Sequence, residues 1–251
     1  MTPKILAVIP ARIHSTRLPR KPLQLLLGEP LISHTYRAVA GHPQIHKLLV
    51  ATDSEEVAQV VRNLGGEVIL TPPELPTGTH RAAYVAQKES PDFDIVLNIQ
   101  GDEPLLTHSM LSALMGPLLQ KPQSPMGTLA CPLDWEREYE NPANVKVLVN
   151  ARGEAIYFSR APIPYLRQGN PPIPGVYKHM GLYGFRRDFL LSYPSLPPSH
   201  LDAAESLEQL RVLDQGIPIL VGVSPERTVE VNLPEELIQA EDALRIRRGD
   251  Q

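Results

Sequence analysis

Ile5-Leu6-Ala7-Val8-Ile9 runs straight into Pro10-Ala11-Arg12-Ile13-His14-Ser15-Thr16-Arg17-Leu18-Pro19-Arg20-Lys21-Pro22-Leu23. The five apolar residues read as a buried strand, ended by a turn signal at Pro10. Arg12, Arg17, Arg20 and Lys21 then place four fixed cations beside the hydroxyls of Ser15 and Thr16. Prolines 10, 19 and 22 keep this loop from becoming a helix and limit its flexibility. Loops at the carboxyl ends of α/β strands are where such folds bind ligands. A stiff, cationic, hydroxyl-bearing loop there suits a polyphosphate, because guanidinium groups grip phosphate oxygens in pairs. The bland alternative is a solvated basic turn, and the spacing favours phosphate.

Working outward, Pro30 to Ala40 has helical spacing and Lys47 to Thr52 reads as a second buried strand. Asp53-Ser54-Glu55-Glu56 opens a helix, with Asp53 or Ser54 as its cap and acids in the first turn. That helix stops at Gly65-Gly66, and Glu67 to Leu70 is a third strand. The β-α-β-α-β alternation predicts a parallel sheet with right-handed crossovers. Pro76-Thr77-Gly78-Thr79-His80-Arg81 begins another helix, whose small residues would let a ligand approach the exposed amides. On pattern alone an ordinary N-cap turn is the favoured reading.

Asp94 to Ile99 is a fourth strand, running into Gln100-Gly101-Asp102-Glu103-Pro104. Strand end, glycine turn and exposed carboxylate coincide at Asp102. A carboxylate facing a triphosphate needs a divalent cation between them, and Mg²⁺ prefers oxygen ligands. Glu103 reads as an acid on a helix dipole. Met126 to Pro132 and Val145 to Val149 add strands, and Arg152-Gly153 reads as a hairpin turn that makes the sheet mixed. Leu166 to Tyr177 is an irregular, proline-rich loop or arm. Lys178 to Phe185 alternates as a strand, Glu205 to Leu213 is helical, and Ile219 to Val223 is a strand.

Composition narrows the function. The chain has 251 residues, 42% hydrophobic and 21% charged, enough for one large α/β domain over residues 1–251. A net charge of -4 argues against a nucleic-acid polymer as partner, so any polyphosphate must be held by local clusters. The single cysteine, Cys131, excludes an intramolecular disulfide and fits a reducing compartment. No stretch approaches the ~20 apolar residues of a membrane span. A cytoplasmic protein is expected.

The first loop resembles the signature IPAR-x-x-S-x-R-x-P-x-K-x-L of the CMP-sugar synthetases, most closely the 3-deoxy-manno-octulosonate (Kdo) cytidylyltransferases. Val50-Ala51-Thr52-Asp53, Gln100-Gly101-Asp102-Glu103-Pro104, Tyr157-Phe158-Ser159-Arg160-Ala161 and Lys178-His179-Met180-Gly181-Leu182-Tyr183 extend the resemblance over nearly the whole chain. It implies a Rossmann-like, GT-A-like nucleotidyltransferase fold: a mixed, mainly parallel sheet flanked by helices. It also implies a sugar-binding and dimer-arm region at about 155–185 and a homodimer.

For the site, the resemblance implies that Pro10, Ala11, Arg12, Ser15, Arg17, Lys21, Thr77, Gly78, Thr79, Arg81, Gln100 and Gly101 bind the nucleotide, CTP. Arg12, Arg17, Lys21 and Asp102 would carry the chemistry, with Asp102 as a Mg²⁺ ligand. Gln100, Arg160, His179, Tyr183, Glu208 and Gln209 would face an acidic sugar, with Arg160 on its carboxylate. The expected reaction is CMP transfer from CTP to Kdo. Three positions depart from the family strings. Arg20 replaces the glycine of L-P-G-K, His80 replaces an acid, and Asn232 replaces the aspartate of V-D-T-P-E-D-L, a second magnesium ligand. The alternatives are a paralogue with altered sugar or nucleotide, and a non-catalytic protein that binds CTP or a sugar acid.

Overall fold

The computed structural model describes residues 2–89, 91–168 and 171–249. Strand β1 (Ile5–Pro10) is buried along its whole length, as a strand covered on both faces must be. Leu25–Leu26 (β2) and Glu29–Pro30 (β3) make a short antiparallel ribbon ahead of α1 (Leu31–Val39). Then come β4 (Lys47–Thr52), α2 (Glu55–Asn63), β5 (Glu67–Leu70), α3 (Gly78–Lys88) and β6 (Ile95–Asn98). β1 pairs in parallel with both β4 and β6, and β5 extends the sheet beyond β4. Winding therefore proceeds to both sides of β1, and the loops after β1 and β6 meet where it reverses.

Helix α2 is capped by Ser54, whose hydroxyl accepts the amide of Val57 at 3.5 Å, which leaves Asp53 for another task. Helix α4 (His108–Gln120) follows Glu103 by several residues, so Glu103 does not sit on its first turn. Met110, Leu111, Leu114, Met115 and Leu118 form its buried face, while Gly116 and Pro117 inside the helix read in sequence as breakers.

By its internal packing the chain divides into two compact units, Met1–Leu111 with Thr228–Gln251, and Ser112–Arg227. The first border falls inside α4, where no linker composition could mark it. The second unit contains β7 (Met126–Pro132), β8 (Lys146–Val149), β9 (Ala155–Ser159), β10 (Val176–Arg186), α5 (Arg187–Ser192), α6 (His200–Glu205), α7 (Gln209–Asp214) and β11 (Ile219–Val223). β11 runs parallel to β7, whereas β10 is antiparallel to β7 and β8. The β8–β9 hairpin turns at Gly153, whose φ of 76° confirms the turn expected at Arg152-Gly153. One expectation needs correction: residues 205–213 are not a continuous helix. Ser206 adopts φ 53° and ψ 50° and its amide bonds to the Asp202 carbonyl, closing α6 before α7 begins. Part of the arm expected at 166–177, Gly169 and Asn170, lies outside the described residues.

The chain then returns to the first unit and ends in α8 (Pro234–Arg248). Leu18, Leu26, Leu31, Val231 and Ala240 form one buried cluster, with Val229, Leu237 and Leu244 packed against it. Each fully buried leucine contributes about 1.5–3 kcal/mol. The cluster therefore fixes the first loop, through Leu18, against the segment before α8, through Val231.

In the second unit Gly222 of β11 lies so close to α4 that a Cβ there would stand 2.0 Å from the Ala113 carbonyl oxygen. Backbone cannot yield as a side chain can. Gly222→Ala is expected to cost about 3 kcal/mol in urea unfolding, and a loss below about 0.5 kcal/mol would show that this packing is looser than the geometry requires.

Candidate active site

The site grows from the junction of two strand ends. Gly101 follows β6 so closely under β1 that a Cβ would approach the Pro10 carbonyl oxygen to 2.9 Å. Only glycine fits, and Gly78 at the start of α3 similarly faces Pro10 and the Gln100 side chain at 3.3–3.4 Å. Pro10, Ala11, Gly78, Gln100 and Gly101, expected to serve the nucleotide, are thus brought together. Thr79 is buried, and its hydroxyl accepts from the Asn98 amide at 3.0 Å. Thr77 caps α3 by accepting from the His80 amide at 3.4 Å. The His80 ring folds back onto the same hydroxyl at 2.9 Å, so the residue that replaced an acid serves the helix end.

The first loop is held by Asp53, which the sequence offered only as a possible cap. One carboxylate oxygen accepts from the Ile13 amide at 2.9 Å, and the other takes the Arg81 guanidinium at 3.1 Å. Arg81 is almost fully buried and also donates to the Thr71 hydroxyl and to the carbonyls of Pro72 (3.2 Å) and Pro73 (3.4 Å). Burial pulls its pKa down, Asp53 opposes this, and the nearby Arg12 charge adds to it. Arg81 acts here as an internal strut for the loop. Arg12 stands exposed, and Ser15 is half-buried.

Beyond Ile13 the loop delivers its cations to one place. Arg17 donates to the Asn232 side-chain oxygen at 2.8 Å, and Lys21 Nζ donates to the same oxygen at 2.9 Å while pairing with Asp102 Oδ2. Asp102, expected to be exposed, is buried to 9% exposure, because the turn folds it under Lys21. Its other oxygen, Oδ1, is buried with no hydrogen-bond partner among the described residues. An acceptor left in that state fits a missing cation, since buried oxygens are otherwise satisfied. Glu103 is buried and accepts from the Thr228 hydroxyl at 2.6 Å, while Val231 donates its amide to the Asp102 carbonyl at 2.9 Å. These two bonds lay the segment 228–232 along the turn. Glu236 accepts from the amides of Asn232 and Leu233 at 2.6 and 2.9 Å, fixing Asn232 at the start of α8.

Arg20 takes φ 53° and ψ 36°, the left-handed region that glycine tolerates best. The family glycine at this position thus has a physical reason. Arg20 accepts the strain and reaches Glu56 of α2 at 2.5 Å, a surface pair of small worth.

Of the residues expected to face a sugar, Gln100 lies in the first unit and Arg160, His179, Tyr183, Glu208 and Gln209 in the second. Arg160 donates Nε to the Glu205 carbonyl at 2.8 Å and a terminal nitrogen to the Pro142 carbonyl at 3.1 Å. The Glu205 carboxylate accepts from the Ser159 hydroxyl (2.5 Å) and the Arg160 amide (2.8 Å). Behind it, the fully buried Lys146 donates to the carbonyls of Asn141, Asn144 and Arg160 at 3.1, 2.7 and 2.6 Å. Burial lowers the Lys146 pKa, with Glu205 opposing and Arg160 adding to the effect. Only a buried lysine in a strand hinted at this support, and a sequence pattern cannot tell it from a solvated one. Tyr183 donates to Gln209 Oε1 at 2.9 Å, and Gln209 Nε2 is buried without a partner among the described residues. Glu208 accepts weakly from the Tyr193 hydroxyl at 3.5 Å.

His179 is buried between the rings of Phe158 and Tyr183, at centroid distances of 4.9 and 5.7 Å. The Thr128 hydroxyl gives its proton to the Leu182 carbonyl at 2.7 Å, so it must accept from His179 Nε2 at 2.9 Å. Burial disfavours the charged ring and drives its pKa to about 3. An unfolded histidine protonates near pH 6.5. Stability is thus complete above that pH and declines as acid approaches the folded value, by about 1.4 kcal/mol per pH unit for one proton. His179→Gln should remove this slope between pH 6 and 4 in urea titrations; an unaltered slope would assign it to other groups.

Residues 6–221 match the model of the cytidylyltransferase family. The chain is 46% identical over 240 residues to the 3-deoxy-manno-octulosonate cytidylyltransferase of Acidobacterium capsulatum, covering 96% of each. It is 44% identical over 238 residues to the enzyme of that name from Acaryochloris marina, covering 94% of this chain and 96% of the other. A solved CMP:2-keto-3-deoxy-manno-octonic acid synthetase complexed with CTP superposes with a TM-score of 0.91 at 38% identity, over 97% of this chain and 99% of the other. A 4-diphosphocytidyl-2C-methyl-D-erythritol synthase from Anaerococcus prevotii shares the fold alone, with a TM-score of 0.65 at 11% identity. The mixed, mainly parallel nucleotidyltransferase fold expected from the sequence is the fold of this chain.

Proposed function

The chain is a member of the 3-deoxy-manno-octulosonate cytidylyltransferase family, and we propose that it transfers CMP from CTP to the anomeric hydroxyl of Kdo, releasing pyrophosphate. The observation that carries this reading is the convergence of Arg17, Lys21, Asp102 and Asn232 beside the junction of β1 and β6. Arg12, Arg17 and Lys21 hold the triphosphate, and the turn at Gly78 and Gly101 lets the nucleotide approach backbone. The sugar hydroxyl forms a bond to the α-phosphorus as the bond to the β-phosphate oxygen breaks. Its proton leaves to solvent, and the electron pair departs on pyrophosphate. Alignment and charge neutralisation then carry most of the rate enhancement. Arg160, held rigid by Glu205 and Lys146, pairs with the sugar carboxylate, while Gln209 offers its unpartnered amide to a sugar hydroxyl.

A bound Mg²⁺ fits the unpartnered Asp102 oxygen; it would neutralise phosphate charge and lower the pKa of the attacking hydroxyl. Among the described residues no group of three acidic, histidine or cysteine side chains forms a ready cage. That suits an ion that arrives with phosphate oxygens and water. No helix among the described residues is long and apolar enough to cross a membrane. The proposal extends to the cytoplasm and to a homodimer, the second supported by Tyr165 and Ile156, large apolar side chains that are 88% and 58% exposed in the expected arm region.

Pyrophosphate release with CTP, Kdo and Mg²⁺ tests the reading, and a chain that binds both substrates without releasing pyrophosphate would be a non-catalytic relative. Arg17→Ala should lower kcat/KM by ~10²-fold, the size expected for one donor to transition-state charge. Asp102→Asn should abolish turnover with thermal stability little changed; turnover persisting at low Mg²⁺ would remove Asp102 from metal binding.

A further inference from the structure

Asn232 receives two cations but supplies no charge. Arg17 and Lys21 both donate to its side-chain oxygen, and its amide nitrogen donates to Glu230 Oε1 at 2.6 Å. Glu230 and Asn232 are two residues apart in extended chain, so their side chains share a face. Glu230 is exposed as a residue, and through Asn232 its carboxylate is linked to Arg17 and Lys21, the latter paired with Asp102. Desolvation first, and then the Asp102 charge, push its pKa up. Two cations and two carboxylates therefore balance around one amide in the ligand-free chain.

That balance changes when a triphosphate enters, which on the proposed function is the first event at this site. Arg17 and Lys21 turn their donors to phosphate oxygens, and Asp102 and Glu230 are left facing a polyanion. Only a cation between them relieves the repulsion. Among the described residues Asp102 presents one buried oxygen without a partner, and Asn232 engages one oxygen of Glu230.

We infer that Glu230 is the second protein carboxylate of a divalent-cation site shared with Asp102 and the triphosphate, with Asn232 serving as the hydrogen-bonded link that holds it in place. The alternative role, simple neutralisation of Arg17 and Lys21, makes a different forecast. Removing a mere counter-charge would tighten CTP binding and leave metal retention unchanged. Removing a ligand would weaken metal retention in the nucleotide complex.

Mn²⁺ binding read by electron paramagnetic resonance, with the full chain and CTP but no sugar, separates the two without any turnover. Wild type should retain Mn²⁺ in a CTP-dependent manner. Glu230→Gln should raise the Mn²⁺ dissociation constant in the CTP complex about tenfold, while metal-free CTP affinity stays equal or improves. Adding Asn232→Asp to Glu230→Gln should recover most of the lost Mn²⁺ affinity by restoring a carboxylate on the same face. Unchanged Mn²⁺ affinity in Glu230→Gln, at wild-type CTP affinity and melting temperature, overturns the assignment while the transferase reading stands. Absence of CTP binding to wild type overturns both.

Discussion

A single buried carboxylate carries the geometry of the phosphate loop. Asp53 joins the Ile13 amide, in a loop without regular structure, to the Arg81 guanidinium, on a helix whose body is packed in the core. Buried ion pairs repay their desolvation only when every donor and acceptor is met. Here the guanidinium reaches two proline carbonyls and a threonine hydroxyl besides Asp53, so the condition is satisfied. Proline carbonyls suit that task, since their residues have no amide to occupy the turn. The arrangement gives a loop rich in like charges a fixed starting direction at no expense of its own cations.

From that anchor two further constraints finish the loop. Leu18 enters the apolar cluster, and Lys21 closes on Asp102. Between them Arg20 bends through a left-handed conformation, which turns the chain sharply enough for Arg17 and Lys21 to meet the same amide oxygen. The substitutions around the pocket then read as a set with different meanings. His80 preserves a helix cap, Arg20 trades backbone ease for a surface contact, and Asn232 gathers Arg17 and Lys21 while donating to its neighbour Glu230.

Most of the fold was legible because its strands are continuous apolar runs and its turns carry glycine and proline. β1, β4, β5, β6, β10 and β11 fall within a residue or two of the positions their patterns imply. Helix α4 escaped because Gly116 and Pro117 within it read as breakers, and the α6–α7 break escaped because a serine rarely announces a left-handed turn. For the site, motif strings identified which residues belong together but not what each one touches. Arg81 and Asp102 illustrate the gap: the first is spent inside the protein, and the second is covered rather than exposed. Partner choice depends on residues far away in sequence, such as Asp53 for Ile13 and Asn232 for Arg17, which local patterns do not contain.

The link between Arg17 and Asn232 spans 215 positions. At synthesis rates of ~5–20 residues per second, roughly 10–40 s pass between the emergence of the one and of the other. During that interval the loop has its anchor on Asp53 but lacks both Val231, which completes its apolar floor, and the amide that gathers its cations. The growing chain thus carries a cluster of unneutralised arginines and lysine with an open hydrophobic base, attractive to any passing polyanion. Completion of the pocket waits for residues 228–232, and molecules shortened before residue 228 retain the recognisable phosphate motif while lacking the segment that gathers its cations.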